Sequence, residues 1–247
     1  MKVTAFTKYD RAAASTRQRL LQYLPALEQA GIDVEYRPLL DDDYVRSLAT
    51  GEPYSRSRIA GAYLRRMNAL LRKPVGDVVW VYGELFPYLP AAFERLAFRS
   101  GKPVVYDFDD AFFHQYDDHP RRWVRGLLGG KLEPLLKGAA ACLCGNRYLQ
   151  DYALRLCENS MLLPTVVDTT VYAPREDASA GSIAIGWIGS PSTWANVRPL
   201  LPVLSRLCTE HRAEFRVVGA GAAAERHRFP RMTPIQWSGG AQVREVR

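Results

Sequence analysis

The sequence predicts an α/β protein with two domains, each built on a parallel sheet, of which the second is incomplete. Short apolar runs alternate with segments of helical periodicity along most of the 247 residues, the pattern of strands that are buried on both faces and connected by helices. Six predicted strands precede the stretch Ala173–Ser182, where Pro, Gly, Ser and charged residues interrupt the periodicity, and at most three follow it. We therefore predict a first domain over residues 1–174, a linker over 175–182 and a partial second domain over 183–247.

Apolar runs and helical spacings define the elements of the first domain in order. Leu20, Leu24 and Leu27 recur three or four residues apart and the pattern stops at Gly31, which predicts a helix that ends there. Runs such as VVWVY and PVVYDF are short and rich in β-branched and aromatic residues, as is typical of buried strands. The predicted strands are Val3–Thr7, Ile32–Leu40, Val78–Tyr82, Pro103–Phe108, Ala139–Cys144 and Met161–Leu163. The predicted helices are Ser15–Ala30, Arg56–Arg72, Tyr88–Phe98, Trp123–Leu136 and Arg147–Leu156.

The second domain repeats this alternation over a shorter length. The predicted elements are a strand at Ile183–Ile188, a helix at Trp194–Cys208 and strands at Phe215–Val218 and Ile235–Trp237. A sheet of so few strands leaves an apolar edge and an apolar face to cover.

The composition is that of a globular protein with excess positive charge. Hydrophobic residues make up 47% and charged residues 24% of the chain, which excludes disordered, collagen-like and disulfide-scaffold classes. The formal net charge of +7 favours phosphate-bearing, polyanionic or anionic-membrane partners. Because the excess is spread over both domains and no nucleic-acid-binding motif stands out, we predict no nucleic-acid partner.

The cysteines and the N-terminal segment favour a particular cellular compartment. Cys142, Cys144, Cys157 and Cys208 lack the paired CxxC spacing of a zinc site, so we expect buried, reduced thiols and no metal, as is typical of a cytoplasmic protein. The segment MKVTAFTKYD reaches a charge too early for a signal peptide, and no apolar stretch of about 18 residues occurs. Any membrane contact is therefore predicted to be peripheral, at the inner face.

Acidic residues and a histidine cluster directly after the fourth predicted strand. The segment YDFDDAFFH contains Asp107, Asp109, Asp110 and His114. Ligands of open parallel sheets bind at the carboxyl ends of the strands, and neighbouring carboxylates repel one another unless they have a partner or a role. We therefore predict a catalytic site here, with a helix cap and solvated neighbours as the alternative.

Two chemistries use the DxD spacing of Asp107 and Asp109. In haloacid-dehalogenase-like phosphatases the first Asp is a nucleophile and the second a general acid. The position on the fourth strand, Ala111 in place of Thr or Val, and the lack of a convincing later acidic pair for Mg²⁺ argue against that interpretation. Metal-dependent glycosyltransferases also carry a DxD, in a different architecture, so the spacing alone does not choose.

A second chemical segment opens the second domain. In IAIGWIGSPST a strand runs into Gly189, Ser190 and Thr193 before a helix, which predicts free backbone N–H groups and hydroxyls suited to a diphosphate. The segment is no Walker loop, and Gly219-Ala220-Gly221 after the next strand matches GxGxxG only in part. An ordinary capped turn is the alternative.

Together the motifs resemble those of a known enzyme family. YDFDDAFF after the fourth strand, GNRYLQDYA after the fifth, LPTVVDTTVY before the linker and IGWIGSPST in the second domain occur in this order. They are similar to segments of family 4 glycosyltransferases of the GT-B fold, which implies two Rossmann-like domains. The resemblance also implies retaining transfer of a sugar from a nucleotide-sugar in the second domain to an acceptor in the first, without a required metal or cofactor. The acceptor, whether a glycan, a lipid-linked sugar or a small molecule, stays open.

The resemblance assigns roles to particular residues. The predicted catalytic residues are Asp107, Asp109, Asp110 and His114. The predicted donor diphosphate-binding residues are Gly189, Ser190, Thr193 and Gly219. Residues 15–19 resemble an SxRxR segment at the start of the first helix, and a glutamate follows the third strand; the predicted substrate-binding residues are accordingly Ser15, Arg17, Arg19 and Glu84.

One departure from the family concerns the donor site. The family completes that site with a later ExxxxxxxE pair, whereas here Glu245 stands alone near the last residue. The sequence therefore predicts a truncated transferase, and the alternative is a non-catalytic nucleotide- or glycan-binding remnant of the same fold.

The basic segment Arg56–Lys73 has two interpretations. Ile59, Tyr63, Met67 and Leu70 recur at helical spacing beside several arginines, which suits a helix lying on an anionic bilayer. A helix that covers the sheet and exposes its arginines has the same pattern, and we favour this second interpretation.

Overall fold

A computed structural model of the chain describes residues 1–72, 76–172, 183–191 and 193–237. The chain divides into two compact units, one formed by Met1–Val45 with Ser55–Val166 and the other by Arg46–Tyr54 with Val167–Arg247. The predicted linker and the lone Glu245 lie outside the described residues, as does Lys73 at the end of the predicted basic helix.

The first unit is built on six parallel strands, which confirms the predicted fold class. The strands are β1 (Lys2–Tyr9), β2 (Asp33–Leu40), β3 (Val78–Tyr82), β4 (Val104–Phe108), β5 (Ala141–Cys144) and β6 (Ser160–Leu162). Their order in the sheet is β2-β1-β3-β4-β5-β6. The chain first moves from β1 to one side and then returns past β1 to β3, so the direction of winding reverses between β1 and β3. In sheets of this type the crevice at the carboxyl ends of two such strands is the expected ligand site.

The helices of the first unit are shorter than the sequence predicted. They are α1 (Ala14–Arg19), α2 (Leu24–Gln29), α4 (Arg56–Leu71), α5 (Ala91–Glu94), α6 (His114–Asp117), α7 (Arg122–Leu128), α8 (Glu133–Gly138) and α9 (Arg147–Leu154), with 3₁₀ turns at Leu21–Tyr23 and Arg95–Ser100. Helix α3 (Asp42–Thr50) begins in the first unit and ends in the second. The predicted continuous helix Ser15–Ala30 was wrong because Pro25 has no N–H to continue a helix from α1. Pro134 interrupts Trp123–Leu136 in the same way, and α5 starts only after Pro90.

The second unit holds a three-stranded parallel sheet in the order β7-β8-β9. Its elements are β7 (Ala184–Ile188), α10 (Trp194–Val197), a 3₁₀ turn at Arg198–Leu200, α11 (Leu201–Glu210), β8 (Glu214–Val218), α12 (Ala222–Glu225) and β9 (Met232–Ile235). The predicted helix Trp194–Cys208 is divided where Pro199 and Pro202 begin new turns. The third strand precedes its predicted range Ile235–Trp237 and shares one residue with it.

Helix α4 packs on the sheet of the first unit. Leu70 is fully buried in the main core, with Tyr63 and Met67 against it, while Leu64 on another side of the helix is 60% exposed. The helix therefore covers the sheet, as the second interpretation predicted, but it buries Arg66 instead of exposing all its arginines. Among the described residues, no helix is both long and apolar enough to cross a membrane.

Candidate active site

Asp107 lies at the carboxyl edge of the first sheet as part of a buried ion pair. It is the fourth residue of β4 and is fully buried. The Arg19 guanidinium at the end of α1 binds its Oδ1, and Trp80 Nε1 donates to Oδ2 at 3.3 Å. Arg19 Nη1 also donates to the carbonyl oxygen of Leu163 at 2.7 Å. Burial raises the pKa of Asp107 to about 6, against the opposing effect of Arg19.

Asp109, two residues later, is only partly buried. Its Oδ1 accepts a hydrogen bond from Tyr82 Oη at 2.7 Å, and its Oδ2 accepts one from Thr165 Oγ1 at 3.3 Å. A Cβ on Gly145 at the end of β5 would lie 2.6 Å from the Cα of Asp109, so the close approach of these strand ends requires glycine. Asp109 thus combines a fixed orientation with access to solvent.

Asp110 and His114, the other predicted catalytic residues, have different surroundings. Asp110 is exposed, and its pKa is raised by partial burial and by Asp109. His114 Nδ1 lies 2.9 Å from Asp117 Oδ1, and its Nε2 lies 2.6 Å from Tyr148 Oη. The structure therefore brings Asp107 and Asp109 together with Arg19, and it engages His114 with residues of α6 and α9.

Of the predicted substrate-binding residues in α1, Arg17 and Arg19 have separate tasks. Arg17 Nη1 donates to the carbonyl oxygens of Arg11 and Ala12 at 3.0 and 2.6 Å, which fixes the loop between β1 and α1. Ser15 is partly buried on the same helix. Arg19 alone of the two arginines reaches the buried carboxylate.

Glu84 follows β3 and belongs to a second buried group of charges. Its Oε1 accepts a hydrogen bond from Tyr116 Oη at 2.5 Å and lies 3.7 Å from Lys131 Nζ. Lys131 is fully buried, forms an ion pair with Glu94, and donates to the carbonyl oxygen of Phe86 at 2.7 Å. Burial raises the pKa of Glu84, while Lys131 and Tyr116 oppose the shift.

Arg66 of α4 was not predicted as a site residue. It is buried, and its Nη2 donates to the carbonyl oxygens of Thr7 in β1 and Arg37 in β2 at 2.8 Å each. Burial lowers its pKa to about 9. Its spacing from the buried Ala62 and Leu70, four residues on either side, was the available signal, because it puts an arginine on the apolar face of the helix.

The predicted diphosphate-binding residues come together at the carboxyl ends of β7 and β8. Gly189 N donates to the carbonyl oxygen of Val218 at 3.1 Å. Ser190 N donates to Thr193 Oγ1 at 3.1 Å, and this hydroxyl donates to the Ser190 carbonyl oxygen at 3.0 Å. The prediction of free backbone N–H groups was therefore wrong for Gly189, Ser190 and Thr193, because the turn uses all three internally. Gly219 has a φ of +86°, and a Cβ there would overlap the carbonyl oxygen of Gly189.

We expect Gly219→Ala to lower the free energy of unfolding of the second unit by about 2 kcal/mol, because alanine meets both an unfavourable φ and a backbone clash. Gly186→Ala in β7 is the matched control, since a Cβ there meets no atom within 4 Å. Thermal unfolding followed by the fluorescence of Trp187 and Trp194 measures both effects. Equal melting temperatures for the two variants would contradict the prediction.

Comparisons with known proteins show the fold. No protein-family model matches the chain, and no curated protein matches it. The lipopolysaccharide outer core galactosyltransferase WaaB in its apo form superposes with a TM-score of 0.53 at 13% identity, over 98% of this chain and 70% of that chain. A glycosyltransferase from Rickettsia africae ESF-5 gives 0.58 at 11% identity, over 99% and 70%.

A third solved structure is that of an epimerase. The UDP-GlcNAc 2-epimerase from Methanocaldococcus jannaschii, in complex with UDP-GlcNAc and UDP, gives a TM-score of 0.51 at 12% identity, over 96% of this chain and 73% of that chain. Together these similarities show that the chain has the GT-B fold, the class of architecture that glycosyltransferases and this epimerase share.

Proposed function

We propose that the chain transfers a sugar from a nucleotide-activated donor to an acceptor hydroxyl. In this reaction the bond between the anomeric carbon and the diphosphate breaks, a glycosidic bond forms to the acceptor oxygen, and the nucleoside diphosphate leaves as the hydroxyl loses its proton. The observation that carries the proposal is the partly exposed Asp109, held at the carboxyl edge of a GT-B-type sheet by Tyr82 and Thr165. A carboxylate held in this way can orient the acceptor hydroxyl and accept its hydrogen bond.

The buried ion pair of Arg19 and Asp107 stabilises the end of β4, next to Asp109. Asp107 uses both carboxylate oxygens within the protein, so we assign it to positioning rather than to contact with substrate. We assign the donor diphosphate to Gly189, Ser190 and Thr193, with Gly219 beside them. In its finer form, the proposal is a family-4-like reaction that retains the anomeric configuration, in the cytoplasm, with the exposed side of α4 against the inner membrane. The anomeric configuration of the product tests the retaining mechanism. Sedimentation with anionic vesicles tests the membrane contact.

Incubation of the purified chain with UDP-, GDP-, ADP- and dTDP-sugars, each with a panel of glycoside acceptors, tests the proposal. We expect release of a nucleoside diphosphate together with a new glycoside in the NMR spectrum. Epimerised sugar nucleotide without a glycoside would favour the epimerase chemistry of the third comparison structure. Binding of the nucleotide-sugar without turnover would favour a non-catalytic remnant. The haloacid-dehalogenase-like alternative has no support among the compared structures, and release of inorganic phosphate alone would revive it.

We expect Asp109→Asn to lower the turnover number by about 10²-fold, the range found for groups that handle a proton in the transition state. Asp151→Asn on α9 is the control, because Asp151 is an exposed aspartate of the same unit and its replacement should leave turnover unchanged. Steady-state rates of diphosphate release measure the difference. A turnover number for Asp109→Asn within twofold of the native chain would remove Asp109 from the mechanism.

A further inference from the structure

The loop between β3 and α5, residues 83–89 (the β3 loop), is held in place mainly by side chains from elsewhere in the unit. It leaves the sheet at the β1–β3 crevice. Glu94 accepts from the N–H groups of Leu85 and Phe86 at 2.9 and 3.1 Å. Further bonds join Lys131 Nζ to the Phe86 carbonyl oxygen, Tyr63 Oη to the Pro87 carbonyl oxygen and the Tyr88 N–H to Tyr116 Oη, at 2.7, 2.9 and 3.0 Å.

Two of these partners, Glu94 and Lys131, are fully buried charges. Removing charges from water is costly, so a buried ion pair adds little net stability compared with apolar residues of the same size. What such a pair supplies here is one fixed backbone path for the β3 loop. Preorganised loops of this kind are typical of ligand-binding positions.

Tyr88 is the residue that this fixed path presents to solvent. Its φ is +60°, an unfavourable conformation for a residue with a bulky side chain. The residue is 62% exposed although its ring lies edge-to-face on that of Tyr116, with 5.8 Å between the ring centroids. Backbone strain and buried charges thus hold an exposed aromatic residue at the carboxyl edge of the sheet.

Polar groups beside Tyr88 have unused hydrogen-bonding capacity. Glu84 is 1% exposed, and its Oε2 has no hydrogen-bond partner among the residues the structure describes. The partly exposed ammonium of Lys8 lies 3.8 Å from this oxygen. Tyr116 Oη accepts from the Tyr88 N–H at 3.0 Å and donates to Glu84 Oε1 at 2.5 Å, so the Glu84 carboxylate and the Lys8 ammonium beside it lie in the same region as Tyr88. Because Glu84 is buried, Lys8 is the member of this pair that a ligand can reach.

We propose that Tyr88, Lys8 and Glu84 form a subsite for a pyranose ring of the acceptor. The ring of Tyr88 packs on the apolar C–H face of the sugar and the partly exposed Lys8 donates to a sugar oxygen, while the buried Glu84 carboxylate holds the Lys8 ammonium in place. An apolar surface with a few placed polar groups is the usual composition of small-molecule sites. This subsite rests on the proposed function, because it identifies the acceptor as a carbohydrate.

Binding of simple sugars to the full chain without a nucleotide-sugar tests the subsite. The probes are the methyl α- and β-glycosides of glucose, galactose, mannose and N-acetylglucosamine, measured by saturation-transfer NMR. We expect at least one to bind, with a dissociation constant that rises at least tenfold in Tyr88→Asn, a variant whose residue tolerates the left-handed backbone. Tyr88→Phe keeps the ring and should bind within threefold of the native chain.

Trp123→Ala is the matched control, because Trp123 is an exposed aromatic residue of the same unit, at 63%, and its removal should not change sugar binding. Failure of every glycoside to bind, or equal binding by Tyr88→Asn and the native chain, would overturn the subsite. Turnover with an acceptor KM that Tyr88→Asn leaves unchanged would also overturn the subsite while the proposed function stands. Sugar binding that depends on Tyr88, without any sugar transfer, would support the subsite and contradict the proposed function.

Discussion

Replacement of Arg19 by methionine is expected to lower the free energy of unfolding of the first unit by about 3–5 kcal/mol. Methionine fills much of the space but leaves Asp107 buried without its countercharge, which is the costly way to break a buried ion pair. The bond from Arg19 to the Leu163 carbonyl oxygen is lost as well. Urea unfolding followed by circular dichroism, with hydrogen exchange of the β4 amides to identify the unit, measures the loss.

The loss should depend on pH with a definite sign. Folding raises the pKa of Asp107 from an ordinary value of 3.8 to about 6, so its contribution to stability is full at low pH and declines as the pH rises between about 4 and 6. Without Arg19 the charged carboxylate is less favourable still, and the decline extends to higher pH. The loss in Arg19→Met should therefore be larger at pH 8 than at pH 5.

Two further variants separate charge from packing. Arg147→Met removes an exposed arginine and should change stability by no more than about 0.5 kcal/mol. The double variant Arg19→Met/Asp107→Asn removes the uncompensated charge and should recover more than half of the loss. A loss below about 1 kcal/mol in Arg19→Met, or a loss that is the same at both pH values, would show that the pair does not stabilise this edge of the sheet.

Replacement of Lys131 by methionine is expected to destabilise the first unit by about 3 kcal/mol or more and to release the β3 loop. Lys131 is the buried countercharge of Glu94 and lies 3.7 Å from Glu84, so its removal leaves two buried carboxylates facing each other. The amides of Leu85 and Phe86 should then exchange with solvent faster than those of β3. Native-state hydrogen exchange, read by mass spectrometry, measures this local effect apart from global unfolding.

Lys137→Met is the matched control for this second prediction. Lys137 is an exposed lysine on α8 whose Nζ lies 2.7 Å from Glu133 Oε2, an exposed helix pair of a kind that contributes only tenths of a kcal/mol. Glu94→Gln combined with Lys131→Met should restore part of the stability, since an amide oxygen can still accept from the loop. Unchanged exchange of the loop amides in Lys131→Met would mean that the backbone path does not depend on the buried pair.

Much of the fold was predictable because a buried strand can be recognised from its own residues. Runs such as VVWVY and PVVYDF are apolar on both faces, so both were located to within a residue. Helix lengths were predicted less well, since apolar spacing continues through Pro25, Pro134 and Pro199 although the backbone does not. The motif of Asp107 and Asp109 was also visible, because it lies at the carboxyl end of a buried strand.

The roles of individual charged residues could not be predicted from the sequence. Arg17 and Arg19 are equivalent in the SxRxR pattern, yet one binds loop carbonyl oxygens and the other a buried carboxylate. Lys131 and Lys137 look alike in sequence, but the first is fully buried and the second is exposed. The buried partners of Arg19 and Lys131, Asp107 and Glu94, are distant in sequence, so no local pattern distinguishes these two residues from Arg17 and Lys137, whose partners are local.

The sequence by itself determined that this chain is an α/β protein with parallel sheets, and it predicted chemistry at the carboxyl ends of their strands. The reason is that burial on two faces and helical periodicity are properties of neighbouring residues. Only the tertiary structure decided which charges are buried and which side chains reach solvent, because desolvation depends on what other parts of the chain cover. The exposure of Tyr88 on a loop fixed by Glu94 and Lys131 is a property of this second kind.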